Sequence, residues 1–209
     1  MKLYLSSYRV PNFEALRKLV GRPEQQTKVA IIPNAKDYYS DRVRNLKAKE
    51  SLVYFLELGF NPEIVDLLDY RSSNKLEAKL KDFDLIWASG GNTFCLRYEM
   101  QRSGFDKVIR TLLDKGTVYA GESAGAIVAG ISLEDIESAD NPEFSEGIVF
   151  EGLGLTDDYI LPHVGNPYFE SSNQLVINKR KNDSNFVQLT DDQALIVNGK
   201  TKVIVDSLA

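Results

Sequence analysis

The sequence predicts an α/β protein built on a mostly parallel sheet with helices over both faces. Short β-branched runs alternate with longer stretches of helical period through most of the chain, the pattern of strands joined by crossover helices. An apolar run, Phe83–Ala88 with Asp84 its one polar residue, reads as a strand buried on both faces. Near the C-terminus, Asn198-Gly199 between two β-branched runs reads as a two-residue hairpin, so antiparallel strands finish the sheet. With 209 residues, 43% of them hydrophobic, the chain is long enough to bury the core of one domain spanning 1–209.

The elements follow in order. Lys2–Ser6 is a first strand, and after Pro11 a helix places Phe13, Leu16 and Val20 on one face. Lys28–Ile32 is the second strand. From Asp41 to Gly59 runs a long helix whose buried stripe is Ala48, Leu52, Phe55 and Leu56, with Gly59 at the left-handed cap position. Glu63–Leu68 supplies a third strand and Phe83–Ala88 a fourth, broken by Ser89-Gly90-Gly91-Asn92. Thr93–Arg102 is helical, as is the segment carrying Phe105, Val108, Ile109, Leu112 and Leu113, which Gly116 ends. Thr117–Ala120 is a strand. An acidic stretch from Glu134 to Glu151 has no clean period and reads as a long loop. Tyr159–Val164 is strand again, Pro167–Lys181 a helix beginning at its proline, and Phe186–Leu189, Ala194–Val197 and Lys202–Val205 are the closing strands. No internal repeat occurs.

Charge and composition exclude several classes. The net charge is −5, the pI is about 5.1, and Lys and Arg are scattered, so no basic surface for a phosphate backbone is expected. The N-terminal apolar run is too short for a secretory signal, and no stretch reaches the ~18 apolar residues of a membrane span. A cytoplasmic protein without nucleic-acid or membrane partners is expected; the sequence does not distinguish a monomer from a homodimer. The single cysteine, Cys95, forms no intrachain disulfide and fits a reducing compartment. One Cys and one His argue against a structural zinc site, and no metal or other cofactor is expected.

Gly121-Glu122-Ser123-Ala124-Gly125-Ala126 places a serine between two glycines at the GxSxG spacing, after a predicted strand and before a small-residue helix start. Such an elbow strains the central residue and lets its hydroxyl stand clear, while aiming the Ala124 N–H at an oxyanion. In a parallel sheet the carboxyl ends of neighbouring strands share a crevice, so the N–H of Gly91 is expected to join that of Ala124. A serine hydroxyl needs a base, and His163, in Leu161-Pro162-His163, is the one imidazole in the chain. An acid should orient it, and between Ser123 and His163 lie Glu134, Asp135, Glu137, Asp140, Glu143, Glu146, Glu151, Asp157 and Asp158. Position does not choose among them. Cys95, inside a predicted helix, lacks the elbow a nucleophile needs.

Together, Gly90-Gly91-Asn92-Thr93-Phe94, the serine turn and Leu161-Pro162-His163 resemble the peptidase E (S51) family of serine peptidases, aspartyl dipeptidases related to cyanophycinase. The resemblance implies a three-layer αβα sandwich like that of class I glutamine amidotransferases, flavodoxin-like in outline, with Ser123 as nucleophile and His163 as base. It puts Asp140, in Ser138-Ala139-Asp140-Asn141-Pro142, at the position of the acid. The implied activity is removal of an N-terminal residue, aspartate by the family's habit, from a dipeptide or short peptide. Asn92 and Glu122 are expected to contact substrate; Glu122 stands where founding members carry a bulky apolar residue. Its carboxylate would repel an aspartyl side chain in the same pocket, or turn away to the helix start or a substrate amine. A β-aspartyl-arginine amide, a small ester, and a non-catalytic small-molecule binding module are the competing readings.

Overall fold

A computed structural model describes residues 1–71 and 75–208. Seven strands form one mixed sheet: β1 (Lys2–Ser6), β2 (Lys28–Ile32), β3 (Asn61–Ile64), β4 (Leu85–Ala88), β5 (Val118–Glu122), β8 (Gln193–Asn198) and β9 (Thr201–Asp206). Their spatial order is β3-β2-β4-β5-β1-β8-β9, with the first five mutually parallel and β8 antiparallel to both its neighbours, β1 and β9. The central strands are apolar on both sides, as a sheet covered on both faces requires; β4 is buried at every position.

Two helices cover one face. In α1 (Phe13–Val20) Leu16 and Leu19 are buried, and Asn12 caps the start by accepting from the Ala15 N–H. In α2 (Asp41–Glu57) Ala48 and Phe55 point inward, and Phe55 meets Trp87 of β4 edge-on at 4.9 Å. Leu56, expected on this stripe, is half-exposed, because eight residues on from Ala48 the helix has turned about 80° off it. Gly59 adopts the expected left-handed conformation, and the Phe60 N–H bonds back to the Phe55 carbonyl.

The opposite face carries α3 (Leu76–Leu80), α4 (Thr93–Ser103), α5 (Phe105–Asp114), α6 (Ala124–Ile127) and α7 (Glu170–Arg180). Their apolar faces form a larger core with the sheet, including Leu5, Ile86, Phe94, Ile109 and Tyr119. The chain is thus three layers, helices over a mixed sheet over helices.

Several boundaries differ from expectation. The third strand is Asn61–Ile64 rather than Glu63–Leu68, since Leu67–Tyr70 turns into a short 3-10 helix capped by Asp66. Tyr159–Leu161 (β6) and Phe186–Gln188 (β7) do not join the main sheet. They pair with each other in parallel, and α7 supplies the crossover that a parallel pair needs. That helix begins at Glu170, three residues after Pro167. The β8–β9 hairpin turns at Gly199-Lys200, because Asn198 is still paired with Thr201. The acidic stretch is a loop with two short 3-10 turns, its two ends joined by an isolated bridge between Ser132 and Glu151.

Candidate active site

Four parallel neighbours, β2, β4, β5 and β1, deliver their carboxyl ends to one edge of the sheet. The segments that follow them carry Lys36, Gly91, Ser123 and Ser7, and the first three line a cavity of about 620 Å³. Ser123 stands between β5 and α6 at φ 51° and ψ −112°, a strained conformation for a residue with a Cβ. Close packing enforces the turn: a Cβ on Gly121 would sit 2.3 Å from the Gly125 carbonyl oxygen, and one on Gly125 2.1 Å from that of Ala88. Within the elbow, the buried Tyr119 hydroxyl donates to the Gly125 carbonyl at 2.7 Å, and the Ser123 N–H donates to the Ser6 carbonyl of β1 at 3.0 Å. Ala124 opens α6, where the first amides have no intrahelical acceptor.

His163, two residues beyond β6 at φ 61°, places Nε2 2.8 Å from the Ser123 Oγ. Its own backbone N–H donates to the Ser7 Oγ at 2.7 Å, fixing the residue to the segment just after β1. Phe169 lies flat against the imidazole, ring centres 4.4 Å apart and planes 13° from parallel.

The acid on the imidazole is Asp191, not Asp140. Asp191 Oδ1 lies 2.6 Å from His163 Nδ1 and accepts from the Ser7 hydroxyl at 2.9 Å; Oδ2 accepts from Asn166 Nδ2 at 2.7 Å. Burial pushes the Asp191 carboxyl up, but the donors Asn166, His163 and Ser7 outweigh it and hold the group below the ordinary carboxylate range. Asp140 instead accepts from the N–H and hydroxyl of Thr93 at the head of α4, and burial raises its carboxyl. The physical reason is topological. Asp191 lies two residues before β8, and because β8 runs antiparallel to β1 its beginning lies at the carboxyl edge where β1 ends, Ala194 opposite Ser6.

Asn92 also departs from expectation. Its Oδ1 accepts from the Cys95 N–H and its Nδ2 donates to the Asn141 carbonyl, so it caps α4 and ties down the acidic loop rather than lining the cavity. Glu122 does line it, with both carboxylate oxygens engaged by main-chain amides: Arg9 N–H at 2.9 Å and Gly90 N–H at 3.3 Å. The expected partners, the helix start or a substrate amine, are thus replaced by the amides of the segments after β1 and β4. Cys95 is buried, its thiol pushed up to about 12 chiefly by burial, the opposite of an activated nucleophile.

Sequence reasoning missed the cations and aromatic rings of the wall. Lys36 and Lys47 line the cavity with Tyr8, Tyr38 and Tyr39; the Lys47 ammonium lies over the Tyr39 ring at 5.5 Å. Burial holds the Lys36 ammonium below the ordinary lysine range, with Glu122 opposing that effect. Phe144 of the acidic loop stacks on Tyr38 at 5.2 Å, bringing the loop to the rim. Among the described residues, no group of three or more His, Cys, Asp or Glu is arranged to hold a metal, and no helix is long and apolar enough to cross a membrane.

A hydroxyl, an imidazole and a carboxylate in series, set on a strand-to-helix elbow in an α/β sandwich, define a class of hydrolase. The chain matches Peptidase family S51 over residues 5–205, and it belongs to that family: it is a peptidase. An uncharacterized peptidase of Pasteurella multocida is 29% identical over 211 residues, covering 97% of this chain and 96% of its own. Peptidase E of Nostoc is 29% identical over 170 residues, covering 79% of this chain and 63% of its own. The crystal structure of a putative peptidase E protein from Listeria monocytogenes superposes with a TM-score of 0.81 at 24% identity, over 98% of each chain.

Proposed function

We propose that the chain is a serine dipeptidase that releases an N-terminal residue through a Ser123–His163–Asp191 relay. The observation that carries this is the unbroken series of contacts, 2.8 Å from Ser123 Oγ to His163 Nε2 and 2.6 Å from His163 Nδ1 to Asp191 Oδ1. A carboxylate only accepts, so the neutral imidazole carries its proton on Nδ1 and presents a lone pair at Nε2 to the serine hydroxyl. His163 takes that proton as Ser123 Oγ bonds to the scissile carbonyl carbon. The carbonyl oxygen gathers the negative charge between the N–H groups of Gly91 and Ala124. Collapse breaks the C–N bond as His163 gives the proton to the leaving amine; water, deprotonated by the same imidazole, then releases the acid from the acyl-enzyme. No metal or organic cofactor takes part in this scheme.

Aspartate is the proposed N-terminal residue, and the ammonium group of Lys47 on the wall supports it. Glu122 does not stand against it, since its oxygens are turned to Arg9 and Gly90. Lys47, held over Tyr39, is the cation placed to meet the side-chain carboxylate. In this reading residues 1–209 form one catalytic domain of the class I glutamine amidotransferase-like, flavodoxin-like form, supported by the reach of the family match and the five parallel strands. A cytoplasmic setting is proposed with it, supported by the free thiol of Cys95.

The test is a panel of Asp-X, Asn-X, Glu-X and β-aspartyl dipeptides with fluorophosphonate labelling. Cleavage of Asp-X above the rest, with the label on Ser123, is expected. Labelling without any dipeptide turnover would remove the dipeptidase reading, and absence of label would remove the serine mechanism.

A further inference from the structure

The peptide group between Gly90 and Gly91 carries the proposed oxyanion donor on one edge and a carbonyl on the other. In a trans peptide these point in opposite directions, so whatever fixes the carbonyl aims the N–H. Lys36 fixes it. Its Nζ donates to the Gly90 carbonyl at 2.9 Å from a side chain buried in the cavity wall. The next peptide is held by the same short segment, since the Asn92 N–H donates to the Ala35 carbonyl at 2.7 Å. On the other flank the Gly90 N–H is taken by Glu122. Between these anchors Gly91 sits at φ 144°, and a Cβ there would lie 2.3 Å from the Ala35 oxygen. The backbone is therefore held in an orientation open to glycine alone, with a cation at its carbonyl end.

We propose that Lys36 is a positioning residue for the oxyanion site, locking the Gly90–Gly91 peptide and polarising it so that the Gly91 N–H faces the reacting oxygen as a strengthened donor. This rests on the serine-hydrolase reading above. A charged donor on a carbonyl withdraws electron density through the amide, and linked hydrogen bonds of this kind reinforce one another. The effect grows as charge develops on the oxygen, so it belongs to the transition state more than to bound substrate.

The experiment compares wild type, Lys36→Met and Lys36→Arg for the rate at which a fluorophosphonate modifies Ser123, and for kcat and KM on the dipeptide cleaved fastest. In Lys36→Met both the labelling rate and kcat are expected to fall by about 10- to 100-fold, less than the loss of a whole oxyanion donor. KM should stay within about threefold, the signature of an interaction made in the transition state. Lys36→Arg keeps a charged donor and should restore most of both rates. Should Lys36→Met not fold, Lys36→Gln serves the same comparison, with a smaller fall in the same two rates. Unchanged labelling and kcat, or a raised KM at constant kcat, overturns the proposal, the latter making Lys36 a reader of substrate. Absence of Ser123 labelling in the wild type overturns the hydrolase reading and this proposal with it; labelling that is indifferent to Lys36 overturns only the latter.

Discussion

His163 Nδ1 and Asp191 Oδ1 are 2.6 Å apart across 28 residues of chain that contain all of α7 and β7. The carboxylate reaches the imidazole from the start of an antiparallel strand, and two further donors, Ser7 and Asn166, hold it there. Asp191→Asn should therefore leave the fold intact and offer Nδ1 a donor as readily as an acceptor, favouring the wrong tautomer. A fall in kcat of about 10⁴-fold is expected, the scale seen when a triad aspartate becomes an amide. Asp140→Asn, which keeps an oxygen for the Thr93 N–H, should retain turnover near wild type. Steady-state kinetics of the pair decide it; the reverse ranking would return the role to Asp140.

Ser123→Ala and His163→Ala should each remove turnover by about 10⁴- to 10⁶-fold, and the double variant should lose little more, because the two act as one unit. Far-ultraviolet circular dichroism should stay that of the wild type. Additive losses in the double variant would argue against a shared proton.

The depressed Asp191 carboxyl makes a statement about acid stability. A group held below its unfolded value contributes stability that is present above that value and is lost as pH falls through the folded one. In denaturant unfolding the advantage of wild type over Asp191→Asn should shrink progressively as pH falls below about 4, where ordinary aspartate begins to protonate. A gap that widens on acidification would contradict the sign of the shift.

Gly125→Ala tests the elbow through packing alone. The added Cβ would meet the main-chain oxygen of Ala88 at 2.1 Å, and that strand is buried throughout. Destabilisation of about 1–3 kcal/mol is expected from the overpacking, with loss of Ser123 labelling as the elbow opens. Wild-type melting and labelling would mean that the turn can relax.

What the sequence by itself determined was local: the helix and strand periods, the glycines that let Ser123 stand on a tight turn, and the identity of a single imidazole. Those are set by near neighbours, and the structure keeps Ser123 against His163. The acid was decided by the tertiary structure. Nothing between Ser123 and His163 predicts that the partner lies beyond both; only the antiparallel pairing of β8 with β1 brings Asp191 to the carboxyl edge. A signal was present in Thr190-Asp191-Asp192, acidic residues at the head of a strand expected to run antiparallel, but using it required the strand order. The parallel pairing of β6 with β7 was hidden in the same way. Lys36 and Lys47 read as scattered surface charges, and only the fold brings the turn after β2 and the second turn of α2 beside Gly90 and Tyr39. Side-chain type and spacing are short-range information, whereas which strand ends share an edge depends on the whole sheet, and a site built on such an edge draws its residues from strands far apart in sequence.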